Sequence, residues 1–130
     1  MLTIGLKGEA KTLVTEEKTA KAYGSGELRV FATPAMIALI EQTAWQSVAP
    51  HLAAGEGTVG TKLEISHLAP TPVGQTVRCE TELIEIDRRR LVFSAAVYDA
   101  CGKIGEGRHE RFIIQNEKFQ RKADEKAAQL

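Results

Sequence analysis

The chain has 130 residues, 43% of them hydrophobic, which is enough for one core and too little for two ordinary domains. Acidic and basic residues balance at 17 each, so the basic excess of a nucleic-acid binder is absent. No apolar run approaches the ~20 residues that span a bilayer. The N-terminal MLTIGLKGEAK lacks a basic start followed by a long apolar stretch, and a cytoplasmic chain with neither nucleic acid nor membrane as partner is expected. Cys79 falls in a strand pattern and Cys101 in a turn. With neither metal-ligand spacing nor disulfide-scaffold density, they read as core packing and an exposed thiol, and no metal site is expected.

In chain order, a short strand is expected around Gly5–Thr15, followed by a connection through Glu16–Arg29. The segment TPAMIALIEQTAWQSV, Thr33–Val48, reads as one long helix. Thr33 is a good N-cap, and Pro34 suits the first helical position, where no backbone donor is needed. On the residues alone, capping accounts fully for Thr33. At about 100° per residue Met36, Ile37, Ile40, Ala44, Ser47 and Val48 share one arc, and Leu39, Ala38 and Trp45 leave little polar surface opposite. Such a helix is wrapped on most sides. Glu41 is its single charge, at the edge of the apolar arc beside Ile37 and Ala44, where a carboxylate is costly unless something pairs with it or uses it. A partly solvated boundary glutamate and a glutamate facing a cleft are the two readings.

After the helix, HLAAGEG reads as a loop, and Thr58–Leu68 as a strand with Val59, Leu63, Ile65 and His67 on one side and Lys62, Glu64 and Ser66 on the other. His67 is thereby directed inward, where a lone histidine at a strand end is ordinarily a hydrogen-bonded structural residue. APTPVG breaks the pairing. Thr76–Ile86 follows, with Val77, Cys79, Thr81 and Leu83 on one face, and DRRR turns the chain into Leu91–Asp99 and Lys103–Gln115, joined by the tight turn Asp99–Gly102. Residues 1–115 make one domain, and the polar tail Asn116–Leu130 reads as a frayed helix or disorder. His109, flanked by charges, reads as structural or solvated, and His51 as an exposed loop residue. Arg88–Arg90 fit a solvated hairpin turn better than a phosphate site, while Lys62 and Arg108 stay open between the two.

One long apolar helix followed by consecutive antiparallel strands is buried only if the sheet curls around it. That arrangement is the α+β hot-dog fold, a curled antiparallel sheet wrapped around one long central helix. A sheet this small covers the helix incompletely and leaves exposed edges, so a homodimer with sites at the subunit interface is expected.

VFATPAMIALIEQTAW, GEGTVGTKLEISHLAPTPVGQTV and IGEGRHERFII together resemble the fluoroacetyl-CoA thioesterase-like branch of the hot-dog thioesterases, over nearly the whole chain. The resemblance implies hydrolysis of an acyl-CoA thioester without a cofactor. It implies a catalytic group of Thr33 at the helix start, Glu41 within the helix and His67 at the end of the following strand, with Gly60 positioning the thioester. There is one departure. Members specialised for fluoroacetyl-CoA carry a longer, phenylalanine-bearing lid before the helix, whereas AYGSGELRV is short and Tyr23 is its only aromatic residue before Phe31. A short-chain acyl-CoA is the expected substrate.

The residue types suit that chemistry. A thioester carbonyl needs a nucleophile or activated water, a base, and donors for the developing oxyanion. His67 serves as base and later protonates the thiolate. Glu41 orients His67 or activates water, Thr33 attacks or holds the water, and the helix start receives the oxyanion. Met36, Ile37 and Ile40 are expected to wall the acyl pocket. The alternative is an acyl-CoA-binding hot-dog module without turnover; a hydratase on the same fold lacks its usual acid and histidine motif here.

Overall fold

The structure is a computed structural model that describes all residues, Met1–Leu130. Five strands, β1 (Lys7–Leu13), β2 (Glu56–His67), β3 (Thr76–Asp87), β4 (Arg90–Asp99) and β5 (Gly102–Gln115), form one antiparallel sheet in the order β1-β3-β4-β5-β2. The connection between β1 and the long helix is a 3₁₀ turn at Glu16–Lys18 and a single helical turn, α1 (Ala20–Tyr23). The long helix, α2, runs over Thr33–Val48, and α3 covers Asn116–Gln129. The polar tail is thus helical. None of its residues is buried, and its largest apolar side chain, Phe119, is 47% exposed.

The expected curled sheet around one helix is the architecture found. Met36, Leu39, Ile40, Ala44 and Val48 of α2 pack onto Val77, Cys79, Leu83, Leu91, Phe93, Val97 and Ile104, all with at most a few per cent of their surface exposed. Met36 and Ile40 have no exposed surface at all and belong to the larger core cluster. At about 2–5 kcal/mol for trimming such a buried side chain to alanine, this seam is a major source of stability. Thr43 is buried too, and its hydroxyl is satisfied by donating to the Leu39 carbonyl at 2.7 Å. The sheet covers one side of α2 only. Thr33, Pro34, Ala38, Gln42, Trp45 and Gln46 remain exposed on the other, with Ile37 and Glu41 half-buried at its margin.

Strand β2 departs from the expected alternation. Gly60 pairs with Arg111 and Lys62 pairs with Glu110, leaving Thr61 as an extra residue in a β-bulge. The side-chain period is two, so the bulge reverses parity: Thr58 and Gly60 share the inner face with Leu63, Ile65 and His67, and Val59 lies on the outer face opposite Phe112. On β5 the inner positions opposite this run are Gly105, Gly107, His109, Arg111 and Ile113.

The glycines of β5 set how closely α2 and β2 approach it. A Cβ at Gly105 would stand 2.6 Å from Met36 Sδ, and one at Gly107 would run into the Glu64 carbonyl. Backbone cannot yield as a flexible side chain does. Gly107→Ala is expected to lower the unfolding free energy by about 3 kcal/mol in urea titration, whereas Gly26→Ala, whose nearest neighbour would be Ala20 Cβ at 3.5 Å, leaves it nearly unchanged.

Candidate active site

Thr33 opens α2, but its hydroxyl does not cap the helix. The N-cap position is Ala32, and no side chain bonds the free amides there. Instead Thr33 Oγ1 lies 2.7 Å from His67 Nδ1. Both partners are held from behind. Phe31 and Ala32 are buried, and their backbone N–H groups donate to the carbonyls of Thr71 and Lys18 at 2.8 and 2.9 Å. On the other strand, the N–H of Leu68 donates to the Ile104 carbonyl at 2.7 Å, which fixes the end of β2 immediately after His67. The His67 Nε2 atom is buried and makes no hydrogen bond. Burial pushes the imidazole pKa below its ordinary value, so the ring is neutral at neutral pH and its Nδ1 lone pair can accept the Thr33 proton.

Glu41 lies two turns further along α2, about 12 Å from Thr33 at 1.5 Å per residue. Within one chain it bonds neither Thr33 nor His67. Its Oε2 faces Nη1 of Arg111 at 3.5 Å. It also lies against Gly60, where a Cβ would stand 2.5 Å from that oxygen, 3.2 Å from His109 Cε1 and 3.4 Å from Arg111 Nη1. Any side chain at position 60 would displace the carboxylate or the groups that face it. Gly60 is therefore required by packing around Glu41.

Arg111 is only 5% exposed, and its guanidinium is pinned on several sides. Nε–H donates to Thr58 Oγ1 at 2.7 Å, Nη2–H to the Thr58 carbonyl at 2.9 Å, and Nη1–H to His109 Nε2 at 3.1 Å. Burial lowers its pKa from the ordinary arginine value, and the nearby Glu41 carboxylate opposes that shift. His109 is fully buried, stacked on Phe93 with ring centroids 6.2 Å apart, and its Nδ1 is 2.9 Å from the Lys62 carbonyl. A carbonyl only accepts, so Nδ1 carries the proton and Nε2 receives the Arg111 N–H. Burial is the main cause of its lowered pKa, and the Arg111 charge adds to it.

The remaining candidates divide clearly. Of the three apolar residues expected to line the pocket, only Ile37 reaches the open face of α2, between Thr33 and Glu41. Cys79 is fully buried and burial pushes its thiol up to about 11, which rules out a thiolate nucleophile there. Arg90 is committed to Glu85 and Glu110 at 2.6 and 2.9 Å, and Lys62 pairs with Glu64 at 2.8 Å. His51 is exposed in the turn after α2. Arg111 is the functional candidate that sequence reasoning missed. The signal was the i, i+2, i+4 run of His109, Arg111 and Ile113, in which an inward isoleucine carries a guanidinium onto the same face.

Comparison with known proteins gives the family. Residues 14–117 match the family model of the fluoroacetyl-CoA-specific thioesterase. The fluoroacetyl-CoA thioesterase of Streptantibioticus cattleyicolor is 41% identical over 97 residues, 75% of this chain and 70% of that protein. A solved structure of the fluoroacetyl-CoA thioesterase superposes with a TM-score of 0.91 at 34% identity, covering 97% of this chain and 98% of that one. A thioesterase superfamily member from Thermus thermophilus gives 0.89 at 27% identity, covering 100% and 98%. The chain belongs to the fluoroacetyl-CoA-specific thioesterase family and is a CoA-thioester hydrolase on the hot-dog fold.

Proposed function

We propose that this enzyme hydrolyses short-chain acyl-CoA thioesters with Thr33, His67 and Glu41 as its working groups, in a homodimer whose two sites each draw on both subunits. The observation that carries the reading is the 2.7 Å contact between Thr33 Oγ1 and His67 Nδ1 at the N-terminal end of an apolar helix. His67 takes the proton of the Thr33 hydroxyl, or of a water held by it, as the new C–O bond forms at the thioester carbon. The oxyanion develops against the positive end of α2. Collapse expels the coenzyme A thiolate, to which the imidazolium returns the proton. Where Thr33 itself attacks, water deprotonated by His67 then hydrolyses the acyl-Thr33 ester and the proton returns to the Thr33 oxygen; by either route one water is consumed and the free acid and the thiol are released.

Glu41 joins this chemistry through symmetry. Thr33 and Glu41 lie four residues either side of Ile37, on the open side of α2. Two antiparallel copies of α2 related by a two-fold axis near Ile37 would set Thr33 and His67 of one subunit beside Glu41 of the partner subunit. The same association covers Ile37 and the 44% exposed Trp45. It also meets the need of β2, a twelve-residue edge strand with one side unpaired.

For the acyl group, a solved structure of a fluoroacetyl-CoA thioesterase variant holds acetyl-CoA, at a TM-score of 0.91 and 34% identity over 96% of this chain and 98% of that one. Here the segment before α2 is a single helical turn ending in Tyr23, 49% exposed, and brings no phenylalanine over the Thr33–His67 pair. The enzyme accepts several short acyl groups.

Release of free thiol from a panel of short acyl-CoAs is the direct test; a folded protein that binds them without releasing thiol would be a binding module. His67→Ala should lower turnover by about 10²-fold or more while the fold is kept, as judged by circular dichroism and steady-state kinetics. Because His67 works as a base when neutral, and burial lowers its pKa, kcat/KM should hold through neutrality and fall on acidification with an apparent pKa below the ordinary imidazole value of about 6.5. Thr33→Ala and Glu41→Gln should each be nearly inactive alone, yet recover about a quarter of wild-type activity when unfolded and refolded together, since half the dimers are then hybrids with one intact site. No recovery would place the three groups within one subunit. The specificity constants for fluoroacetyl-CoA and acetyl-CoA should differ little in a competition assay.

A further inference from the structure

We infer that His109 is a positioning residue that acts through Arg111 on the Glu41 carboxylate, an inference that rests on the role of Glu41 proposed above. The position has no packing need for an imidazole. It lies inside the sheet, over Phe93 of β4 and opposite Leu63 of β2, where leucine or phenylalanine would fill the same space. Both ring nitrogens are nevertheless used, and in a fixed sense. The Lys62 carbonyl, next to the Thr61 bulge, takes the Nδ1 proton at 2.9 Å, so Nε2 offers a lone pair to Arg111 Nη1 at 3.1 Å.

That lone pair decides what Nη1 can do for Glu41. Nη1 carries two protons. His109 accepts one, and Nη1 then faces Glu41 Oε2 at 3.5 Å with the other. The other edge of the guanidinium is tied to Thr58 through Nε and Nη2, so Thr58 and His109 together hold its plane. With His109 removed, Nη1 would hold a buried proton without an acceptor, and Glu41 is the nearest group able to supply one. The carboxylate would be drawn toward the sheet, away from the open face of α2 where a substrate or a partner subunit can meet it. A charged imidazole would act in the same direction, because it has no lone pair and would set a second cation against Arg111. The charged groups close enough to act on His109 are Arg111 on the same face of β5, Glu41 on α2, and Glu110, which lies next to it on β5 but on the outer face.

The test combines a measurement that does not depend on catalysis with one that does. In the wild-type protein labelled with ¹⁵N-histidine, the His109 ring at pH 7 should show a protonated Nδ1 and an unprotonated, hydrogen-bonded Nε2. An Nε2–H tautomer or an imidazolium would overturn the inference, whether or not the enzyme turns over. In kinetics, His109→Phe should lower kcat by about 10- to 100-fold with a smaller change in KM, the scale of a misplaced reacting group. His109→Gln, which keeps an acceptor for Arg111, should recover most of that loss. In an Arg111→Leu background the His109→Phe change should cost nothing further. Unchanged kcat in folded His109→Phe, or an equal loss in both backgrounds, would overturn it. Wild-type protein that releases no thiol would instead defeat the thioesterase reading, leaving the tautomer to judge His109.

Discussion

A sixteen-residue apolar helix is wider than the cover that a five-stranded sheet can give it, and most of this molecule follows from that mismatch. The sheet spends its inner face on Met36, Leu39, Ile40, Ala44 and Val48. What is left of α2 is a strip that is neither core nor ordinary surface, with Thr33, Ile37, Glu41 and Trp45 recurring every fourth residue along it. Groups on such a strip keep the rigidity of the core beneath them while one side stays open, which is the combination that a catalytic group needs. The same shortage of cover leaves β2 at an edge with half its backbone groups unpaired.

Thr33 shows how local preference yields to tertiary context. A threonine before a proline at a helix start has a ready local partner in its own backbone amides, and it forgoes that bond for His67. Giving up a cap costs about 1 kcal/mol, a loss that the His67 contact and the burial of Phe31 and Ala32 behind it can offset. At the other end of the strip the balance is stricter. A buried guanidinium is tolerable only when its N–H groups have acceptors, and Thr58 and His109 provide them before Glu41 is counted.

Much of this was legible in the residues. The bounds of α2 and the inward face of Val77, Cys79, Thr81 and Leu83 came directly from periodicity, because those segments are regular and one face is fully buried. His67 was correctly phased because it lies beyond the bulge. Val59 was not, since alternation counted across Thr61 assigns it to the wrong face, and nothing in the types Gly60, Thr61 and Lys62 announces an extra residue. Periodicity did not say which residues of the apolar arc are sealed in: on a helix packed along one side, Met36 and Ile40 are fully buried while Ile37 stays at the margin, according to where the sheet ends. Arg111 escaped notice for a different reason. A guanidinium in a run of charges looks solvated, and its two-residue spacing from Ile113 is a weak signal beside the equally apolar Phe112 and Ile114, until strand pairing sets Arg108 and Glu110 outward and Arg111 inward. The tail could be narrowed only to helix or disorder, since a mostly polar segment with no buried residue carries propensity but little packing.

The single extra residue at Thr61 makes β2 two rulers laid end to end with their scales offset by one mark. Gly60, on an even number, and His67, on an odd one, face the same side only because of that offset. An inserted or deleted residue between them would leave each half of the strand well formed and well paired. Yet it would turn one end of the active site to the outside of the protein. The spacing from Gly60 to His67 is therefore under a constraint of parity that no individual residue in the interval bears, in addition to the packing that Ile65 must keep on the inner face.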